Sequence, residues 1–427
     1  MTGMLPAIIL FAITYVLMLT FSKYRPYIAL SGAVIFILTG MLPLGKIFGA
    51  IDFNVLLMIA GTMGLVALFI ESKMPELLAD LIMEKVPNVK WAAVSLALFA
   101  GVISAFVDNV ATVLMIAPVA LEISKKLKTN PVPFIIAIAV SSNLQGAATL
   151  VGDTTAIMLG SALDMSFLDF FWYQGKPGMF FAVELGAVLS ALILLFLFRK
   201  EKAPIPKATT RTKVTDYVPT VLLVGTIVLL ICASFIPNKP AETNGYICCA
   251  LMVIGLIYNF FRKKTFSAII SPLKEIDFET IGLLLGLFLM IAAIDEQGVI
   301  KSLANLLAAA GGDSPFLMYT IIVWASVVIS AFIDNIPYVA TMIPVIAALA
   351  PAMGMDDPTV LYFGLLSGAT LGGNCTPIGA SANITGIGIL RREGYTVKNG
   401  DFFKIGIPFT LAAIVPAYIY LWLFYGM

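Results

Sequence analysis

Apolar residues gather into long unbroken runs along this chain. Runs of about 18 residues or more occupy 5–22, 27–44, 178–198 and 405–424, the length at which a helix crosses a bilayer. Reading the pattern through predicts five crossing segments in each half. They are 5–22, 27–44, 53–70, 132–163 and 178–198, then 218–236, 245–261, 278–294, 358–390 and 403–424. In each half the fourth segment is interrupted by polar and small residues. A helix–turn–helix precedes it, at 91–124 and at 315–351. Two shorter stretches, 71–86 and 296–309, carry charges on amphipathic patterns, which suits helices lying in the interface plane. Their expected role is to frame a moving part.

The order of these elements repeats because the sequence does. SAFVDNVATVLMIAPV at 104–119 recurs as SAFIDNIPYVATMIPV at 330–345, with eight identities in sixteen positions. IDF at 51–53 returns at 276–278, and TLVGDTTAI at 149–157 pairs with TPIGASANI at 376–384. Gly61, Glu71 and Leu78-Ala79 match Gly286, Glu296 and Leu303-Ala304. The blocks keep one order with single-residue slips, a register that chance similarity between apolar segments does not hold. The expected organisation is an N-terminal membrane repeat, 1–198, a linker, 199–217, and a C-terminal membrane repeat, 218–427.

The linker reads RKEKAPIPKATTRTKVTDY, and its six basic residues place it in the cytoplasm. With that side fixed, all but four of the 26 Lys and Arg fall on the cytoplasmic side. The exceptions are Lys46, Lys176, Lys239 and Lys301, and both termini lie outside. Five crossings is an odd number, so the second repeat enters the membrane inverted. Inverted repeats with a midplane site are the mark of secondary transporters. The expected fold is therefore an all-α polytopic membrane protein of two inverted five-span repeats, each with a re-entrant hairpin and a broken helix. The expected location is the cell membrane.

Composition narrows the chemistry. Of 427 residues 60% are hydrophobic and 12% charged, about half the charge of a soluble protein. A net charge of +1 without a basic tail argues against nucleic acid. There is no histidine, which removes histidine metal sites, proton relays and Ser-His-Asp triads. Cys232, Cys248, Cys249 and Cys375 form no CxxC pair and read as small buried hydrophobes. The first apolar run lacks a basic flank and an A-x-A site, so it reads as a span and not a signal peptide.

Two places in each half break the apolar pattern. The hairpin turns carry Asp108-Asn109-Val110 and Asp334-Asn335-Ile336, each inside more than ten apolar residues on both sides. Asp-Asn is ordinary turn chemistry at a surface, but a carboxylate within the membrane costs several kcal/mol, and here both halves carry the pair. The interruptions read SSNLQGAATLVGDTTA at 141–156 and SGATLGGNCTPIGASAN at 367–383. Unwound backbone survives at that depth only where it lines a cavity or is buried in protein. Close helix packing would explain the Gly and Ala, but not Asp153, Asn374 and Asn383 in the same loops. Glu184 reads as a snorkelling or interhelical group, and Glu122, before Lys125 and Lys126, as interfacial.

At these motifs the chain resembles the ion transporter superfamily over nearly its full length. Within it, SAFVDN…APV, SAFIDNIPYVATMIPV and LGGNCTPIGASANI look like the branch of arsenite efflux permeases, the pigment-cell P protein and bacterial sodium/proton antiporters. That branch is related to divalent anion:sodium symporters with a citrate transporter-like domain, which carry Ser-Asn-Thr at the hairpin tips. By position, Asn109 and Asn335 match the tip asparagines, Asp108 and Asp334 replace the serines, and Val110 and Ile336 replace the threonines. Thr149, Gly152, Thr376 and Gly379 match the loop positions, and Ser104 and Ser330 open the hairpin motifs. The family's first loop reads G-D-P-P-N. Here Ala156 stands where its asparagine would be, whereas Asn383 keeps it in the second half. The resemblance implies sodium near Asp108, Asn109, Asp334 and Asn335, an elevator-type movement and a homodimer. For an arsenite permease it also implies an ATPase subunit.

The departures at the tips set the expected substrate. Two ionised carboxylates would repel a di- or tricarboxylate, but would bind sodium or exchange it for a proton. They would also tolerate a neutral hydroxy-acid such as arsenous acid. The expectation is a secondary active transporter, not an enzyme, with a small inorganic ion or oxyanion as substrate. Its coupling ion is Na+ or H+, and no other cofactor is expected. The alternative is a sodium-coupled citrate or dicarboxylate symporter. An intramembrane aspartyl protease needs unlike motifs, one of them G-x-G-D, and Gly152-Asp153 lacks the preceding Gly. A passive channel would show unitary currents.

Overall fold

The computed structural model describes residues 3–127, 129–205, 211–312 and 314–427. Among the described residues each half lays down ten α-helices in the same order. The first has α1 (Met4–Thr20), α2 (Arg25–Leu38), α3 (Ile47–Ala50), α4 (Phe53–Glu71), α5 (Met74–Met83), α6 (Val89–Ser104), α7 (Asn109–Leu127), α8 (Val132–Gly146), α9 (Thr154–Ala162) and α10 (Met179–Leu197). The second has α11 (Val218–Ser234), α12 (Thr243–Lys263), α13 (Ser267–Lys274), α14 (Phe278–Glu296), α15 (Val299–Gly311), α16 (Pro315–Ser330), α17 (Asn335–Ala352), α18 (Thr359–Gly372), α19 (Ser381–Arg392) and α20 (Asn399–Tyr425). Among the described residues six of them are long and apolar enough to cross a membrane singly. Helices α6–α7 and α16–α17 are the two hairpins; α8–α9 and α18–α19 are the two broken segments.

Local chemistry explains the boundaries. The Asp52 carboxylate accepts from Val55 N at 3.0 Å and starts α4, and Asp277 accepts from Thr280 N at 2.9 Å and starts α14. The recurring IDF triplet is thus a helix N-cap in both repeats, its aspartate satisfying a free amide at the helix start. Every residue of α18 is buried, and so is all of α8 except Pro133. A helix buried on all sides has no polar face to betray its period. These two segments form the centre of the molecule.

The halves interlock. Helix α4 packs on α12 and α14 on α2, while hairpin helix α7 lies against α19 and α17 against α9. Repeat-mates Gly61 and Gly286 make the first pair of contacts close. A Cβ on Gly61 would meet the Cys248 carbonyl carbon at 2.5 Å, and one on Gly286 the Ala29 carbonyl carbon at 2.6 Å. Of the cysteines, Cys248 is fully buried at this contact, Cys249 and Cys375 are half-buried, and Cys232 is exposed on the outer side of α11. The expectation of four buried thiols therefore holds completely for one.

Residues 206–210 of the expected linker lie outside the described residues. Its two described ends are docked, not loose. Ala203 and Glu201 carbonyls accept from Val89 N and Lys90 N at 3.0 and 2.8 Å. Further on, Arg211 grips the Glu84 carboxylate with two nitrogens, Thr212 N donates to Asp80 at 2.8 Å, and Thr215 N to the Ser72 carbonyl at 3.1 Å. This second stretch runs antiparallel along α5 and straps it down. Glu122 pairs with Lys126 at the exposed end of α7, and Glu184 is half-buried in α10.

Candidate functional site

The tip aspartates first serve their own helices. Asp108 accepts from Val110 N and Ala111 N at 2.9 and 3.2 Å, and Asp334 accepts from Ile336 N at 3.2 Å. Beyond that the two differ. Asp334 Oδ2 also accepts from Arg25 Nη1 at 3.1 Å and from Ser381 Oγ at 3.2 Å. Asp108 has no ion-pair partner among the described residues. It lines a cavity of about 360 Å³ with Glu71, Glu275 and Asp277.

The loops at the helix breaks are fastened to the tips by a repeated device. Thr149 donates its hydroxyl to the Ala105 carbonyl, and Thr376 donates to the Ala331 carbonyl. Three residues later a glycine lets the loop lie flat on the same turn. A Cβ on Gly152 would stand 2.9 and 3.0 Å from the Ser104 and Ala105 carbonyl oxygens; one on Gly379 would stand 2.8 Å from those of Ser330 and Ala331. The Thr-x-x-Gly spacing read from the sequence is thus a clasp between loop and hairpin. Its hydroxyls are engaged by backbone.

Asp153 occupies the middle. It is 6% exposed, holds the N-cap position of α9, and accepts from Thr155 Oγ1 at 2.9 Å and from Asn335 Nδ2 at 3.4 Å. Thr155 in turn lies 3.4 Å from the Thr370 hydroxyl of the other half. On the other side, the floor at Gly146 is shared. A Cβ there would meet Asn109 Oδ1 at 2.5 Å and Asp153 Cβ at 3.0 Å. Asp153 therefore sits between the two tip asparagines. Asn109 is braced by Ser104, which donates to its Oδ1 at 2.6 Å, and by Ser142, which donates to its carbonyl at 3.1 Å. Ser330 instead donates to the Ala369 carbonyl, because Ala369 stands where the first repeat has Ser142.

Asn374 and Asn383 form a second, separate cluster. Asn143 donates to Asn374 Oδ1 at 2.8 Å and to Asn383 Oδ1 at 3.1 Å. Asn374 donates to the Val140 carbonyl at 2.9 Å; Asn383 donates to those of Gly373 and Thr376 at 2.9 and 3.0 Å. Both donor hydrogens of Asn383 are engaged, and the cluster ties α8 to the second break.

Thus Ser104, Asn109, Asp153 and Asn335 come together, while Asp108 lines the neighbouring cavity, Asp334 pairs with Arg25, and Asn374 and Asn383 form their own cluster. Sequence reasoning passed over Ser142, Asn143, Thr155, Thr370 and Arg25. The first four lie within or beside the polar interruptions, so a signal was there; Arg25 gave none. Among the described residues, no group of three or more Asp, Glu or Cys is placed to hold a metal ion.

Two interlocked inverted repeats, each with a hairpin tip clasped to a broken helix, define a polytopic membrane transporter. A family model described as CitMHS, citrate transporter, matches residues 15–368 and 268–427. The chain belongs to this citrate transporter family. It is 31% identical over 427 residues to the 46 kDa membrane protein of Mycobacterium leprae, covering 98% of both chains. It is 30% identical over 435 residues to an uncharacterized transporter of Mycobacterium tuberculosis, again at 98% of both. The human P protein is 28% identical over 452 residues, spanning 87% of this chain and 53% of its own length. Among solved structures, the Alcanivorax borkumensis YdaH transporter shares the fold, with a TM-score of 0.62, 14% identity, and coverage of 91% of this chain and 88% of that one.

Proposed function

We propose that the protein is a secondary active transporter that couples Na+ or H+ to the movement of a small inorganic ion or oxyanion. The observation that carries this is Asp153. A buried carboxylate whose side-chain partners among the described residues are a hydroxyl and an amide is left uncompensated, and at that depth the charge is met by a proton or a bound cation. No Lys or Arg forms an ion pair with it among the described residues. An uncompensated carboxylate beside both hairpin tips is therefore suited to a coupling ion. In this reading the hairpins and broken helices travel together as an elevator against α1, α2, α4 and their repeat mates, with the linker on the cytoplasmic side.

The family match supports a second reading, symport of citrate or another carboxylate. The charge at the tips then requires that the substrate's negative charge be offset, because Arg25 is already engaged with Asp334. Flux into proteoliposomes, screened over sodium, proton, arsenite and citrate gradients, separates the two. Gradient-driven arsenite or sodium flux without citrate supports the first reading. Flux of citrate alone replaces it with the second, and unitary currents in a planar bilayer would remove both.

A further inference from the structure

The repeats part company where the framework meets the hairpin tips. RPYIALSGAVI at 25–35 in α2 aligns with NGYICCALMVI at 244–254 in α12. Packing sets the same register. A Cβ on Gly282 of α14 would approach Pro26, and one on Gly286 would meet Ala29, whereas Gly245 and Cys248 of α12 meet Leu57 and Gly61 of α4. Arg25 therefore corresponds to Asn244. Arg25 grips a tip aspartate, with side-chain exposures of 23% and 10% across the pair. Asn244 is buried, and its Oδ1 has no hydrogen-bond partner among the described residues.

Direction gives this difference meaning. Helix α14 begins beside α13 and the end of α4, the face on which the linker docks, and α2 runs parallel to it from the same end. Arg25 thus holds the tip of the second hairpin at the linker face. The tip of the first hairpin leans the same way, since Asp108 and Val110 line the cavity with Glu71 and Asp277. Exchanging the roles of the repeats carries both tips toward the opposite face. Asp108 then reaches Asn244, whose amide can donate a hydrogen bond but brings no charge.

We propose that Arg25 is a one-sided latch: its ion pair with Asp334 favours the conformation open to the linker face, and the reverse conformation has no equivalent. The proposal rests on the alternating-access reading above. Leaving the latch separates a guanidinium from a largely buried carboxylate, a cost that the conformation open to the opposite face does not recover. The other groups facing Asp334 cannot replace Arg25. Among the described residues they are Tyr15 from α1, the Ser381 hydroxyl from α19, and the Asp153 carboxylate, whose charge opposes that of Asp334.

The test uses full-length protein with the four native cysteines replaced and a reporter at Ile336→Cys, the repeat mate of Val110. A membrane-impermeant thiol reagent is applied from the face opposite the linker. Losing a charge-assisted hydrogen bond shifts a two-state equilibrium by roughly 10- to 150-fold. Arg25→Asn, which installs the residue of the other repeat, should therefore speed labelling by about 10-fold or more. Arg25→Lys and the reversed pair Arg25→Asp with Asp334→Arg should restore slow labelling, and they decide the matter if Arg25→Asn fails to fold. Unchanged labelling in Arg25→Asn, in a parent whose labelling responds to sodium or pH, overturns the latch. A parent reporter that labels equally from both faces under all ionic conditions overturns alternating access itself.

Discussion

Asn335, at the tip of the second hairpin, donates to Asp153, at the helix break of the first repeat, across 3.4 Å and 182 positions of sequence. A polar contact between the halves therefore lies at a buried carboxylate that has no cationic partner among the described residues. Under the proposed coupling role, exchange of a proton or cation at Asp153 would act directly on a contact between a hairpin and the opposite repeat.

Asp153→Asn should abolish gradient-coupled flux while the protein still elutes as a monodisperse species. The amide keeps the size and can still accept from Thr155, but cannot carry charge or exchange a proton. Coupled flux at the parental rate in proteoliposomes would move the coupling site elsewhere.

Asp108→Asn should also stop coupled transport without unfolding the tip. Asparagine caps a helix nearly as well as aspartate, so the bonds to Val110 N and Ala111 N survive while the charge facing the cavity is lost. Full flux in this variant would leave Asp108 with a turn role alone.

Asn383→Ala should lower thermal stability in detergent, at about 1–3 kcal/mol for a buried group left unpaired. The Gly373 and Thr376 carbonyls lose their donor together. The converse change, Ala156→Asn, inserts bulk at a position that is 0% exposed, and should be destabilising as well. Thermal unfolding that matches the parent in Asn383→Ala would show that the cluster does not hold the break.

Gly152→Ala should destabilise by about 1–3 kcal/mol, because its methyl meets the Gly146 carbonyl oxygen at 2.6 Å. Gly45→Ala, with nothing within 4 Å of its Cβ position, is the control and should be neutral. Equal melting of the two variants would refute the clasp.

The strap along α5 should loosen in acid. Arg211, through its hydrogen bonds, holds the Glu84 carboxyl below its ordinary value. A lowered folded value means that the clasp is complete above the ordinary carboxylate pKa and fades as pH falls through the lowered one. The protection of the 211–215 amides, relative to their intrinsic exchange, should therefore fall only in acid, or at any pH in Arg211→Ala. Protection that is indifferent to both would leave the strap to its backbone bonds.

The sequence by itself determined the repeat, the helical membrane class and the two places in each half where polar groups interrupt apolar runs. These are local properties: run length, caps such as Asp52 and Asp277, and the Gly and Thr that break a buried helix all act within a few residues. The sequence also marked Asp153 and the tip asparagines as chemistry. It did not say that Asp108 lines a cavity with Glu71 and Asp277, that Asp334 pairs with Arg25, that the Thr149 and Thr376 hydroxyls are engaged by hairpin carbonyls, or that Asn374 and Asn383 form their own cluster. Tertiary structure decided these, because each rests on groups far apart in sequence: Thr149 and Thr376 on the hairpin turn of their own repeat, Asn374 on Asn143 of α8, and Asp334 on Arg25 of the other repeat. Arg25 is the clearest case. In sequence it is one basic residue before a span; 309 positions later the fold brings it an aspartate.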